Sequence, residues 1–279
     1  MDLLWLGDPK SFDLALVGGK AANLSRLARM DHRVPAGFCL PVTVIDQAHP
    51  VDLRDEIAQA ISDLIACHGL SDLTVAVRSS AVDEDGAGAS FAGQHETYLN
   101  IVGADAILQA VARCWESARS ERALEYRRQQ GLSVERVRLA VLVQQLVASD
   151  VSAVVFSANP ITGNRDEVMI NASWGLGESI VGGTVTPDTF VVCKSDLAVT
   201  ERTIAEKQRM TVAVSGGTHE VGVPRFLRNE ASLADEQMIE IARLALTLEA
   251  TWGYPVDIEC AYASGQLYLL QCRPITTLK

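Results

Sequence analysis

The end of the chain is what most constrains its fold: Asp257-Ile258-Glu259-Cys260 and Leu270-Gln271-Cys272-Arg273-Pro274 alternate polar and apolar side chains on either side of Ser264-Gly265. A period of two predicts a β-hairpin, because successive side chains on a strand point to opposite faces. Asp257 and Glu259 then share one face of their strand, as Gln271 and Arg273 do on theirs. Turn parity decides whether the two sets coincide. A two-residue loop places them on opposite faces, whereas a three-residue loop with Gly265 in the left-handed conformation gathers all four. The second choice leaves Ile258, Cys260, Tyr262, Tyr268, Leu270 and Cys272 together on the other face, and it is the loop we expect. Two carboxylates, an amide oxygen and a guanidinium on one patch suit a hard cation and a phosphoryl oxygen. An amphipathic surface ribbon with a cross-strand ion pair explains the same alternation, and the hairpin by itself does not decide between them.

The rest of the chain narrows the choice. Its 279 residues suffice for a sizeable core, and we expect two lobes, 1–142 and 143–279. A formal net charge of −11 argues against a nucleic-acid or anionic-membrane surface, which clustered cations would have to supply. Cys39, Cys67, Cys114, Cys193, Cys260 and Cys272 are scattered, with no CxxC pair and no zinc-site spacing, and read as reduced thiols of a cytoplasmic protein. The N-terminus lacks a basic segment followed by an apolar core, and no run approaches the ~20 apolar residues of a membrane span.

Strands and helices mix without strict alternation, which favours an α+β fold. Val17-Gly18-Gly19-Lys20 runs into a helical pattern at Leu24, Leu27 and Ala28, so a glycine turn opens a helix and sets Lys20 near its positive end. Ile57, Ile61, Leu64 and Ile65 mark a second helix. Thr74–Val77 reads as a strand ending at Arg78-Ser79-Ser80, and the acidic, glycine-rich stretch from Asp83 to Gly93 as a loop. Helix is expected over 104–129, a buried strand over 137–147 interrupted by Gln144-Gln145, and a last helix over 233–252.

Several of these segments carry chemistry, each with a plainer alternative. Gly18-Gly19-Lys20 is a phosphate-binding candidate, since glycines admit close backbone approach and the lysine adds charge; a glycine turn with a solvated lysine competes. Arg78 can meet a phosphate or pair with Asp83, Glu84 or Asp85. Gly86, Gly88 and Gly93 would let the loop close over a nucleotide, with Phe91 anchoring it and Thr97 facing the site; a surface turn competes. Gln144, Gln145 and Leu146 can offer groups to an adenine edge or satisfy the core. His95 reads as a structural or solvent-facing residue.

Taken in order, VGGKAANL, VPAGF, AVRSSAVDED, SFAGQHETYLNIVG, VLVQQLV, NPITGN, WGLGES, TPDTF and DIEC with LYLLQCRPIT resemble the N-terminal ATP-binding domain of the phosphoenolpyruvate synthase and pyruvate phosphate dikinase family, its rifampin phosphotransferase branch most of all. The resemblance implies an α+β, ATP-grasp fold whose two lobes sandwich ATP. By motif, it assigns Lys20 and Arg78 to phosphates, the loop carrying Gly86, Gly88 and Gly93 to covering them, and Thr97 to the phosphate end. It assigns Gln144, Gln145 and Leu146 to the adenine, Glu259 and Gln271 to Mg2+, and Arg273 to the transferring phosphoryl group, with Glu178 a further candidate for the pocket. Lys20, Arg78 and Arg273 are thus the expected catalytic residues. The family's histidine carrier motif, G-G-x-x-S-H, is absent from these residues, so the expected partners are a phosphohistidine carrier domain or protein and a separate acceptor-binding one. The resulting expectation is a dikinase-type component taking ATP to AMP and phosphate; a small-molecule kinase and a non-catalytic nucleotide-binding subunit are the alternatives. Ala153, Ser157 and Cys260 depart from the family's usual Gly, Thr and Trp, and the segment between Gly37 and Arg78 is shorter than usual.

Overall fold

In the computed structural model, residues 3–45, 50–68, 73–82, 97–129, 131–135, 137–276 and 278 are described. The chain divides into two compact units, Met1–Leu146 with Val214–Gly217, and Val147–Ala213 with Thr218–Lys279. Both mix helices with an antiparallel sheet, as the α+β class requires. Among the described residues no helix is long and apolar enough to cross a membrane.

The first unit contains β1 (Leu4–Trp5), α1 (Leu14–Arg29), β2 (Gly37–Leu40), α2 (Val42–Ile45), α3 (Pro50–His68), β3 (Val75–Ala81), β4 (Thr97–Ile101), α4 (Ala104–Ser117), α5 (Glu121–Gln129) and β5 (Leu139–Gln145). Its sheet runs β1-β2-β5-β3-β4. Alternation along the strands divides its core in two. Phe38, Leu40, Val75, Val77, Val141 and Val143 pack with Ile57 and Leu64 of α3 and Ile107 and Val111 of α4. Cys39, Ala140 and Leu142, from the opposite face, pack with Val17, Ala21 and Leu24 of α1.

Two expectations need correction here. The helix expected over 104–129 is two helices, broken at residues 118–120. The strand expected to end at Arg78 continues through Ala81, because Arg78, Ser79 and Ser80 find ladder partners in Leu142, Val141 and Ala140 of the apolar β5. Small hydroxyls let that stretch stay buried: Ser79 and Ser80 are both fully covered.

The second unit contains β6 (Val151–Phe156), β7 (Glu167–Trp174), α6 (Glu178–Val181), β8 (Asp188–Cys193), β9 (Val199–Thr203), all but the adjoining end residues of β10 (Arg209–Val214) and β11 (Gly217–Gly222), α7 (Asp235–Trp252), β12 (Val256–Ala263) and β13 (Gln266–Pro274). Its main sheet runs β13-β12-β6-β7-β8-β9, and β10 pairs with β11 as a separate ribbon. Met238, Ile241, Ala242, Ala245 and Leu248 of α7 are buried, and α7 packs on β6, β7, β8 and β12. Val155, Ile170, Phe190 and Ile258 are fully buried on one face of the sheet; Val154, Asn171, Thr189 and Glu259 on the other are half-exposed. Period two thus separates an apolar core face from a polar one.

The hairpin shows all four polar residues on that second face, by a route different from the one expected. Ala263 pairs with Gln266, so the loop is the two residues Ser264-Gly265, both with positive φ (50° and 74°), as a type I′ turn requires. A two-residue loop alone would have split the polar set. Parity is restored by a bulge: Glu259 pairs with Gln271 and Cys260 with Leu269, leaving Leu270 as the extra residue. Leu269, rather than Leu270 or Tyr268, therefore joins Cys260 on the core face, where it is 2% exposed.

Candidate functional site

In the first unit the glycine turn and the Arg-Ser-Ser strand are fastened to each other. Gly18 breaks α1 with φ 74° and ψ 170°, a conformation open to glycine. A Cβ built there would lie 2.1 Å from the Ser80 carbonyl oxygen, so the space as well as the torsion demands glycine. Beyond the break, Ala21 N–H donates to Ser80 Oγ at 3.1 Å, and Lys20 Nζ donates to the Ser79 carbonyl at 3.0 Å. Lys20 is 6% exposed. The helix end offers less to an anion than a glycine turn suggests, because Ser80 already accepts one of its first amides. Gly18→Ala should lower stability by roughly 2–4 kcal/mol through combined strain and overpacking. Denaturant melts would show it as a reduced midpoint, and an unchanged midpoint would contradict the close approach.

Thr97 begins β4 directly opposite Arg78, so Lys20, Arg78 and Thr97 belong to one corner of the first unit. Asp83–Gly93, with Gly86, Gly88 and Gly93, lies outside the described residues, as do Phe91 and His95. Gln144 is 2% exposed, and its side-chain amide donates to the Pro35 carbonyl at 3.2 Å. Gln145 N–H bonds to Ala36 O and Leu146 N–H to Thr74 O. The Gln144 side-chain amide and the N–H groups of Gln145 and Leu146 are therefore engaged within the fold.

The second unit holds the hairpin. Glu259 on β12 and Gln271 on β13 are directly paired, as are Asp257 and Arg273, which places the side chains of each pair about 5 Å apart at Cβ. Arg273 Nε and Nη2 each lie 2.9 Å from Asp257 Oδ2. The other oxygen, Asp257 Oδ1, is buried with no hydrogen-bond partner among the described residues. Burial pushes the Asp257 carboxyl above its ordinary pKa; Arg273 opposes that shift and Glu259 adds to it. An orphaned buried carboxylate oxygen beside a carboxylate–amide pair is a donor set that fits a hard cation. Among the described residues no group of three His, Cys, Asp or Glu gathers for a metal; the Gln271 amide oxygen is the further protein donor on this face.

Sequence alone counted Asp257 as one of two carboxylates on this face; that it is the one paired with Arg273 becomes visible only once the register is known. Glu178 lies at the start of α6 and accepts a hydrogen bond from Thr218 Oγ1 at 3.1 Å. Gly177, just before it, sits close over Ser152 of β6, which pairs with Ala261 and so lies on the Glu259 face. Two of the family departures fall elsewhere. Ala153 and Cys260 pair with each other on the α7 face, where burial pushes the Cys260 thiol up to about 12. Ser157 keeps the hydroxyl function, accepting from Val256 N–H at 2.8 Å.

Residues 40–279 match the family described as "Pyruvate phosphate dikinase, AMP/ATP-binding domain", and the chain belongs to that family. It is 46% identical over 239 residues to a probable phosphoenolpyruvate synthase of Pyrococcus abyssi, covering 82% of this chain and 29% of that protein. It is 39% identical over 311 residues to a rifampicin phosphotransferase of a Streptomyces species, covering 98% of this chain and 36% of that one. The chain thus spans about a third of the length of these relatives. Among solved structures, D-alanine–D-alanine ligase from Bacillus anthracis complexed with ATP aligns with a TM-score of 0.38 and 8% identity, over 96% of this chain and 57% of that one.

Proposed function

We propose that the chain is the ATP-handling part of a dikinase-type phosphotransferase of ATP-grasp fold, taking ATP and water to AMP and phosphate while a phosphoryl group passes to a histidine on another domain or protein. The observation that carries this reading is the paired register at the end of the chain: Glu259 opposite Gln271, beside Asp257 opposite and bonded to Arg273. Glu259 and Gln271 would hold Mg2+, with Asp257 on the same face. When bound, the metal would draw together phosphate oxygens and offset the negative charge that develops on them. Asp257 fixes the Arg273 guanidinium so that its positive charge stays on the metal-binding side, where a transferring phosphoryl group would need it. Lys20, Arg78 and Thr97 are assigned to phosphate, with Gly86, Gly88 and Gly93 in the covering loop. Gln144, Gln145 and Leu146 are assigned to the adenine, and Glu178 to the nucleotide. The carrier histidine and the acceptor-binding site belong to separate domains or proteins, as in a reaction that hands its phosphoryl group from donor to carrier to acceptor.

Two measurements check the proposal. With Mg2+ and ATP labelled at the β or γ position, AMP should form only when a histidine-bearing carrier domain is added. ADP formed with a small acceptor, or nucleotide binding with no turnover under any pairing, would sink it. Arg273→Ala should slow the carrier reaction by about 3–4 kcal/mol of transition-state stabilisation, the scale of losing a preorganised charge-stabilising group. A wild-type rate in that variant would remove Arg273 from the chemistry.

A further inference from the structure

The row of side chains through Glu259 continues along the polar face. Glu259 pairs with Val154 of β6, Val154 with Asn171 of β7, and Asn171 with Thr189 of β8. Residues in register on neighbouring strands share a face. Gln271, Glu259, Val154, Asn171 and Thr189 therefore form one line across five strands, and the last four are half-exposed. The Thr189 hydroxyl donates to Asn171 Oδ1 at 2.9 Å. That bond engages the amide's acceptor and leaves its NH2 group as the donor, next to a Val154 side chain that has nothing to accept it.

The position of Thr189 is itself built in. Its neighbour Asp188 is fully buried on the opposite face, accepting from Lys207 Nζ, Ala205 N–H and the backbone and hydroxyl of Ser232. Those bonds hold β8 in place from below while Thr189 orients Asn171 from the side. What results is a half-exposed amide donor beside an apolar side chain, two strand spacings, on the order of 10 Å, from the Glu259 backbone. A ligand that binds metal at one end and carries further oxygen acceptors along its length is complementary to that line.

We propose that Asn171 is a further nucleotide-binding residue, its NH2 group donating to a phosphoryl oxygen of the metal-bound polyphosphate, and that Thr189 is the positioning residue that orients it. The inference rests on the reading of the hairpin as the metal face. Calorimetric titration of the full chain with Mg2+ and a non-hydrolysable ATP analogue, and separately with adenosine, tests it. Asn171→Ala should weaken analogue binding about tenfold or more, the value of one hydrogen bond to a charged group, and leave adenosine binding unchanged. Asn171→Asp, which removes the donor and adds a negative charge, should weaken it further. Thr189→Val keeps Asn171 but frees its amide, and should cost a smaller factor. Analogue binding that is lost in Glu259→Gln yet unchanged in both Asn171 variants overturns this inference and leaves the metal face standing. Analogue binding unchanged in Glu259→Gln overturns both, and an equal loss for analogue and adenosine overturns the phosphate contact.

Discussion

Glu259→Ala should abolish Mg2+-dependent phosphoryl transfer, lowering the rate by about three orders of magnitude or more, while the folded state survives. The effect is large because Glu259 supplies the carboxylate of the paired donor set, and Gln271, directly opposite, is a neutral amide that binds a divalent cation weakly alone. Losing the metal removes several kcal/mol of charge stabilisation from a reaction in which positioning and neutralisation supply most of the catalysis. Stability should change little, because Glu259 is half-exposed on the polar face, away from the core that α7 covers. Product analysis with labelled ATP, alongside a denaturant melt, separates the two effects. Wild-type turnover would contradict the assignment, and loss of turnover together with the fold would move Glu259 from chemistry to structure.

The largest effect on stability is expected at Asp188. Asp188 and Lys207 form an ion pair at 2.6 Å in which neither side chain has any exposure. Asp188→Ala would remove the partner of a buried ammonium and strand the Ala205 and Ser232 donors, leaving Lys207 Nζ with the Ala205 carbonyl at 3.0 Å. Breaking one side of a buried pair costs about 3–5 kcal/mol, enough to unfold a marginally stable unit. Replacing both charges with apolar residues, as in Asp188→Leu with Lys207→Met, should recover much of that loss, because no uncompensated charge remains. Denaturation midpoints of the two single variants and the double variant form the cycle that checks this. A double variant no better than Asp188→Ala would show that the hydrogen bonds, rather than the charges, hold the segment.

What the sequence made legible, and what it hid, follows from the range of the interactions involved. Gly18 was readable as a break because left-handed torsion and close approach both require glycine. The polar face of the hairpin was readable because period two needs no knowledge of partners. Where the odd residue sits was not: alternation fixes only the parity of the hairpin, and an extra residue in the loop or a bulge at Leu270 satisfies it equally. Arg78-Ser79-Ser80 looked like the end of a strand because its own residues are polar; the partners that keep it extended lie on β5, some sixty residues later. Nothing local marks Lys207 as buried, since the aspartate that pairs with it lies 19 residues earlier. Asp257 had the same difficulty, its bond to Arg273 depending on the register.

The central claim is that the Glu259–Gln271 pair holds the metal of a metal–nucleotide complex, and electron paramagnetic resonance with Mn2+ in place of Mg2+ tests it most directly. In the presence of a non-hydrolysable ATP analogue, the wild-type chain should convert the free-ion signal to a protein-bound one, while Glu259→Ala and Gln271→Ala should leave Mn2+ with the nucleotide in solution. A bound signal of wild-type intensity in both variants would contradict the account.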